Sequence, residues 1–198
     1  KNLKVCHAEV YGQYKSAVIV GDGLCSRISN CHVENATVVA TPYNKDYANH
    51  VGGIVGYLSA ENEAYVKECS VKNVEIRGYR DVGAIAGTAN QAAVVTGNKV
   101  ENVTVIADQT AEYMEVKVAN VDAIAGRVHA KATVENNTVG ENVEVYVLVN
   151  TAENLEYQAN NSPANRDIKI VLVGDVKGNA VIKQREGVNV IVAGAEGN

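Results

Sequence analysis

Cysteine stands directly before histidine twice, at Cys6-His7 and Cys31-His32, and thiolate with imidazole is a ligand pair that zinc favours. The spacing works against a metal. Successive side chains on a strand point to opposite faces, so chain neighbours cannot close one tetrahedral site. An exposed histidine pair and no metal are expected. Cys69 falls with Cys6 and Cys31 in one repeating column, while Cys25 has no counterpart. Stacked side chains run parallel and not towards one another, which disfavours disulfides. The column reads as a buried ladder of free thiols acting as small apolar filler, continued by Asn98 and Asn137.

Carboxylates are the next source of chemistry. An enzyme cleaving polysaccharides needs two of them on one exposed sheet, as acid and base or as calcium ligands. The outward positions instead run Glu34, Lys72, Glu101 and then Thr37, Glu75, Thr104, Glu144, mixing sign as a solvated face does. Asp22 and Asp175 follow equivalent glycines, and Asp81 and Asp122 precede others, so turn capping is their expected role. Neither a nucleophile elbow nor a phosphate-binding loop occurs. No catalytic residue and no cofactor is expected.

Asn35-Ala36-Thr37 and Asn102-Val103-Thr104 fit the glycosylation sequon. With Asn73 they also share one column, where an inward ladder of amides bonding unit to unit is the preferred reading. The remaining candidates are tyrosines: Tyr11, Tyr14, Tyr43, Tyr47, Tyr79 and Tyr113 fall in or beside connections of variable length. Rings with a polar tip on such loops suit contact with glycan or protein. Covering the edge of the fold is the competing role.

The elements holding these residues follow from composition. Of 198 residues, 35 are Val and 25 Ala but only 6 Leu, with no Phe or Trp and 2 Pro, a balance that favours pleated surfaces over helices. A net charge of −5 offers no basic patch for nucleic acid or anionic membrane. No apolar run is long enough for a spanning helix, and Lys1-Asn2-Leu3 does not open a signal peptide.

Internal repetition carries the architecture. With Cys31, Cys69, Asn98 and Asn137 in one column, the chain reads ISNCHVENATVVA, VKECSVKNVEIRG, VTGNKVENVTVIA and VENNTVGENVEVYV, and LKVCHAEVYG joins them through Cys6. Alternation on both sides of an Asn describes two short strands meeting at a corner. A third strand is SAVIVG, VGGIVG, VGAIAG and VDAIAG, closed by Gly21, Gly56, Gly87 and Gly126, with IKIVLVG at Gly174 as a fifth copy. From each Gly to the next column residue is 10, 13, 11 and 11 residues, whereas the return distance varies from 15 to 37. Packing fixes one side of the unit, and loops of any length emerge from the other. Three strands per unit with insertions on one edge predict an all-β fold, a right-handed parallel β-helix (β-solenoid) of about five to six irregular coils. The competing antiparallel sandwich would need hairpin turns, for which only Asp22-Gly23 qualifies.

GGIVG (52–56), GAIAG (83–87) and DAIAG (122–126) resemble the GLUG motif of bacterial surface proteins, over roughly residues 15 to 145. The resemblance implies a secreted or surface-anchored repeat module. The segment from Asp167 onward is similar to the opening coils of β-helix domains in such proteins. Residues 1–150 are thus expected to form GLUG-like repeats, and 151–198 a C-terminal β segment of further coils or the start of a following β-helix domain. The expected function is a non-catalytic stalk or adhesin-like scaffold, extracellular or on the bacterial surface, binding glycan or a host or cell-surface protein. The alternative is a carbohydrate-active β-helix enzyme, a polysaccharide lyase or hydrolase. The first residues, NLKVCHAEVYG, and the last, VNVIVAGAEGN, read as strands without capping elements, so the sequence is expected to be part of a longer chain and to associate end to end.

Overall fold

A computed structural model describes residues 1–41, 43, 49–164 and 166–194. Strand dominates, and among the described residues the one helix is Ala152–Asn161. Among the described residues the strands form sheets of nine, four and six members, and every pairing between those strands is parallel. The chain is therefore mostly β, with parallel sheets.

Successive units up to Glu135 visit the sheets in the same order. In the second unit His50–Gly52 belongs to the four-stranded sheet, Val55–Lys67 to the six-stranded sheet and Ser70–Gly78 to the nine-stranded sheet. The third repeats this with Asp81–Gly83, Ala86–Thr96 and Lys99–Asp108. Residues 53–54 and 84–85 make one short connection, 68–69 and 97–98 the other. The third connection is variable, spanning 79–80 in one unit and 109–119 in the next. The uneven spacing of the sequence lies there.

Register follows the valines. Val33, Val71, Val100 and Val139 are partners from strand to strand, as are Val66, Val95 and Val134. The first three of the former set are buried, so the same apolar contact is renewed in each unit. The glycine phrase recurs for a steric reason: a Cβ on Gly87 would lie 2.3 Å from the Val51 nitrogen and 2.6 Å from the Gly56 oxygen. The four- and six-stranded sheets meet too closely there for any side chain.

The column of Cys31, Cys69 and Asn98 is buried as expected, and its cysteines are free. Cys6 is not part of it. Val5 pairs with Val33, which puts Cys6 opposite Glu34 on an exposed face, three residues from the expected place. The asparagine ladder also needs correction. Asn73 donates to Asn35, Asn102 to Asn73 and Asn142 to Asn102, each at 3.0 Å, but the ladder faces solvent. Its members have φ between 52° and 54°, and this left-handed corner turns the side chain outward.

The helix Ala152–Asn161 lies where a β segment was expected. Thr151 caps a helix by accepting from the Asn154 amide at 3.1 Å. Gln158, fully buried, accepts from the Ala119 amide and donates to the Lys117 carbonyl, filling the long third connection with amides. Ile168–Leu172 and Val190–Gly194 then extend the nine-stranded sheet alone. IKIVLVG thus supplies a strand of the nine-stranded sheet and is not a fifth glycine phrase.

Candidate functional site

The five described tyrosines of the set do not form one surface. Tyr11 is 72% exposed on the strand Glu9–Gly12, and Tyr43 and Tyr113 are also exposed. Tyr79 is only 3% exposed, its hydroxyl donates to the Glu115 carbonyl, and burial pushes it up to about 12. It is withdrawn from any ligand. Tyr47 lies outside the described residues.

Tyr14 joins a polar cluster that includes Asp22 and Asp81, both expected to cap turns, together with Lys15, His50, Tyr57 and Thr88, which sequence reasoning passed over. Lys15, His50, Asp81 and Asn120 are successive partners in the four-stranded sheet. Asp22, Tyr57, Thr88 and Arg127 are successive partners in the six-stranded one. The glycine phrase lies between them in the chain and brings the two rows face to face. Lys15 pairs with Asp22 at 2.7 Å and sits 4.3 Å over the Tyr57 ring. His50 meets Tyr14 and Tyr57 edge-on, with centroids 5.4 and 5.1 Å away. Its Nδ1 lies 2.8 Å from Thr88 Oγ1 and 3.0 Å from Asp81 Oδ2.

Asp81 was expected to cap a turn, yet it is fully buried, and Asn120 Nδ2 donates to it at 2.6 Å. A carboxylate removed from water needs such donors. Asp122 does cap, accepting from the Ile124 amide at 2.9 Å. Only the fixed offsets before and after the phrase could have signalled the cluster.

Asn90 connects this cluster to open solvent. It donates to the Tyr57 hydroxyl at 2.6 Å and also lines a groove of about 460 Å³ with Glu61, Gln91, His129 and Lys131. The groove offers a carboxylate, two amides, an imidazole and an ammonium, a set able to hydrogen-bond hydroxyls and pair with an anion.

The outer face of the nine-stranded sheet pairs its charges across units. Lys4 meets Glu34 at 2.9 Å and Lys72 meets Glu101 at 2.7 Å, while Lys99, on the same strand as Glu101, adds a contact at 2.8 Å. Hydrogen bonds from those lysines hold the Glu101 carboxyl at about 2. Burial pushes Asp108 upward, but Thr110 and Arg77 outweigh it and keep the carboxyl below its ordinary value. Among the described residues no three His, Cys, Asp or Glu side chains converge as a metal-binding group, and no helix is long and apolar enough to cross a membrane. The chain matches no family model, no curated protein and no solved structure.

Proposed function

We propose that this chain is a non-catalytic repeat module of a bacterial surface protein, a right-handed parallel β-solenoid of five to six coils that serves as a stalk or adhesin-like scaffold. The recurring order of three sheets and the parallel register support winding into coils, and the crossover rule supports the right hand. The GLUG-like phrases support a place outside the cell. The observation that carries the scaffold reading is the pairing of Lys4 with Glu34 and of Lys72 with Glu101 between units. Charges used in this way tie coil to coil and leave fewer to converge on a substrate.

The Asn90 groove is the place where such a scaffold would hold a glycan or a protein side chain. A second reading, a carbohydrate-active enzyme, draws on Glu61 and His129 in the same groove. A glycan array followed by incubation of the hits with the protein separates the two. Binding weakened by Asn90→Ala or Lys131→Ala, with polymer length unchanged, supports the scaffold. Chain cleavage abolished by Glu61→Gln overturns it.

A further inference from the structure

The four- and six-stranded sheets stop before the nine-stranded one does. Among the described residues no strand pairs with the outer edge of Asn120–Asp122, Ala125–Val128 or Thr133–Glu135, while Ile168–Leu172 and Val190–Gly194 carry the largest sheet further. The step leaves a recess of about 550 Å³, lined among others by Ile124, Ala125, Val134 and Arg166.

Two side chains occupy this edge where backbone is missing. The Ile54 and Val55 amides both donate to the Ile85 carbonyl, and those of Ile85 and Ala86 to the Ile124 carbonyl, at 3.0 to 3.2 Å. The Ile124 and Ala125 amides have no next carbonyl and turn to Asp122 Oδ1, at 2.9 and 3.4 Å. Arg166 donates to the Gly126 carbonyl at 3.0 Å, and its Nε lies 3.5 Å from Asp122 Oδ2. Asp122 stands in for an absent carbonyl and Arg166 for an absent amide.

We propose that this edge is an acceptor for an extended polypeptide segment of the repeat's own chemistry, added in parallel, with Asp122 and Arg166 holding the edge until the segment displaces them. The incoming segment needs small apolar residues over Ala125 and glycine over Gly126. The Cβ clashes at Gly87 and Gly126 show how little room the same step leaves within the stack. Arg127, exposed at the end of the Asp22, Tyr57 and Thr88 row, favours a carboxylate or hydroxyl opposite it. A second folded copy does not fit. Stacking its Lys15–Ala17 on Asn120–Asp122 would bring its Lys4–Cys6 and Glu9–Gly12 onto the row of the largest sheet that the first copy's Val143–Val149 already fills. The occupant is therefore a segment free to extend, bound by strand addition. This inference rests on strand pairing alone and stands or falls independently of glycan binding.

A synthetic peptide of residues 81–96 is the probe, because that stretch stacks on the equivalent edge of 50–67 within the fold. Titrated into the intact protein, it should shift the amide resonances of Ile124, Ala125 and Gly126 saturably, and a scrambled peptide should not. Asp122→Ala and Arg166→Ala, each removing one competing group, should tighten binding about tenfold. No shift at these amides, shifts confined to another edge, an equal response to the scrambled peptide or equal affinity in all three proteins would overturn the proposal. Self-association of the protein that occupies the same amides would overturn it too, in favour of a second copy.

Discussion

The backbone amide of Cys69 donates to Oδ1 of Asn98 at 2.9 Å, and one unit earlier the Cys31 amide donates to the Cys69 sulfur at 3.4 Å. Cysteine thus performs the asparagine's task. Each side chain accepts an amide from the preceding unit and donates to a nearby carbonyl, Lys67 for Cys69 and Val66 for Asn98. Cys69→Asn should therefore preserve or raise the unfolding midpoint, since amide oxygen accepts better than sulfur. Cys69→Val leaves the Cys31 amide buried without an acceptor and should cost about 1–3 kcal/mol. Urea denaturation of both variants measures the difference.

Thiol reactivity should divide the cysteines by burial. Cys6 and Cys25 are exposed, and Cys31 and Cys69 are buried. In native protein an aromatic disulfide reagent should modify the first two rapidly and the second two only after denaturant is added. Rapid loss of all four thiols would contradict the ladder.

Burial pushes the Cys69 thiol from 9.0 up to about 11 and the Tyr79 phenol from 10.0 up to about 12. Both groups are neutral when protonated, so above their unfolded values the native state holds more protons than the unfolded chain. The stability involved is fully present below about pH 9 and is lost as pH rises through about 11 to 12, by up to about 1.4 kcal/mol per pH unit for each group. Denaturation midpoints measured across that window should fall, and should fall less in Cys69→Asn.

Glu68 holds φ of 56° at a corner where the neighbouring units place Asn30, Gly97 and Asn136. A left-handed conformation costs most L-residues about 1–2 kcal/mol, and asparagine less. Glu68→Asn should raise the melting temperature by a few degrees. Asn73→Val, at the other corner, should lower it, because it adds β-branched strain and cuts the ladder between Asn35 and Asn102.

The apolar architecture was legible because alternation and stacking leave direct marks: Val33, Val71 and Val100 recur at one offset and pair at that offset. Cys6 was misplaced because sulfur was used to set the register. The apolar column sets it, at Val5, and the left-handed corner follows at His7, with φ of 55°. The helix Ala152–Asn161 escaped notice because its buried side includes Asn154 and Gln158, which bond to backbone and leave little apolar period to read. His50 and Asp81 are far apart in the chain and meet as register partners on adjacent strands of the four-stranded sheet, and the glycines bring Thr88 of the six-stranded sheet against them. The contact is written only in the shared offset of the two residues before the glycine phrase.

That contact yields the sharpest test of what the cluster does. Asp81 is fully buried and His50 is 5% exposed, so each limits the other's access to water. If the pair holds the fold, His50→Ala and Asp81→Ala should each destabilise strongly, and the double variant should lose less than their sum by about 1–3 kcal/mol. The reason is that either single change strands a polar partner, Thr88 and Asn120 included, whereas removing both partners strands fewer. The glycan binding proposed for the Asn90 groove should survive Thr88→Val, a change within the cluster that leaves Asn90 and Tyr57 in place. Additive losses of stability together with abolished binding in Thr88→Val would mean that the cluster belongs to the binding surface and not to its support.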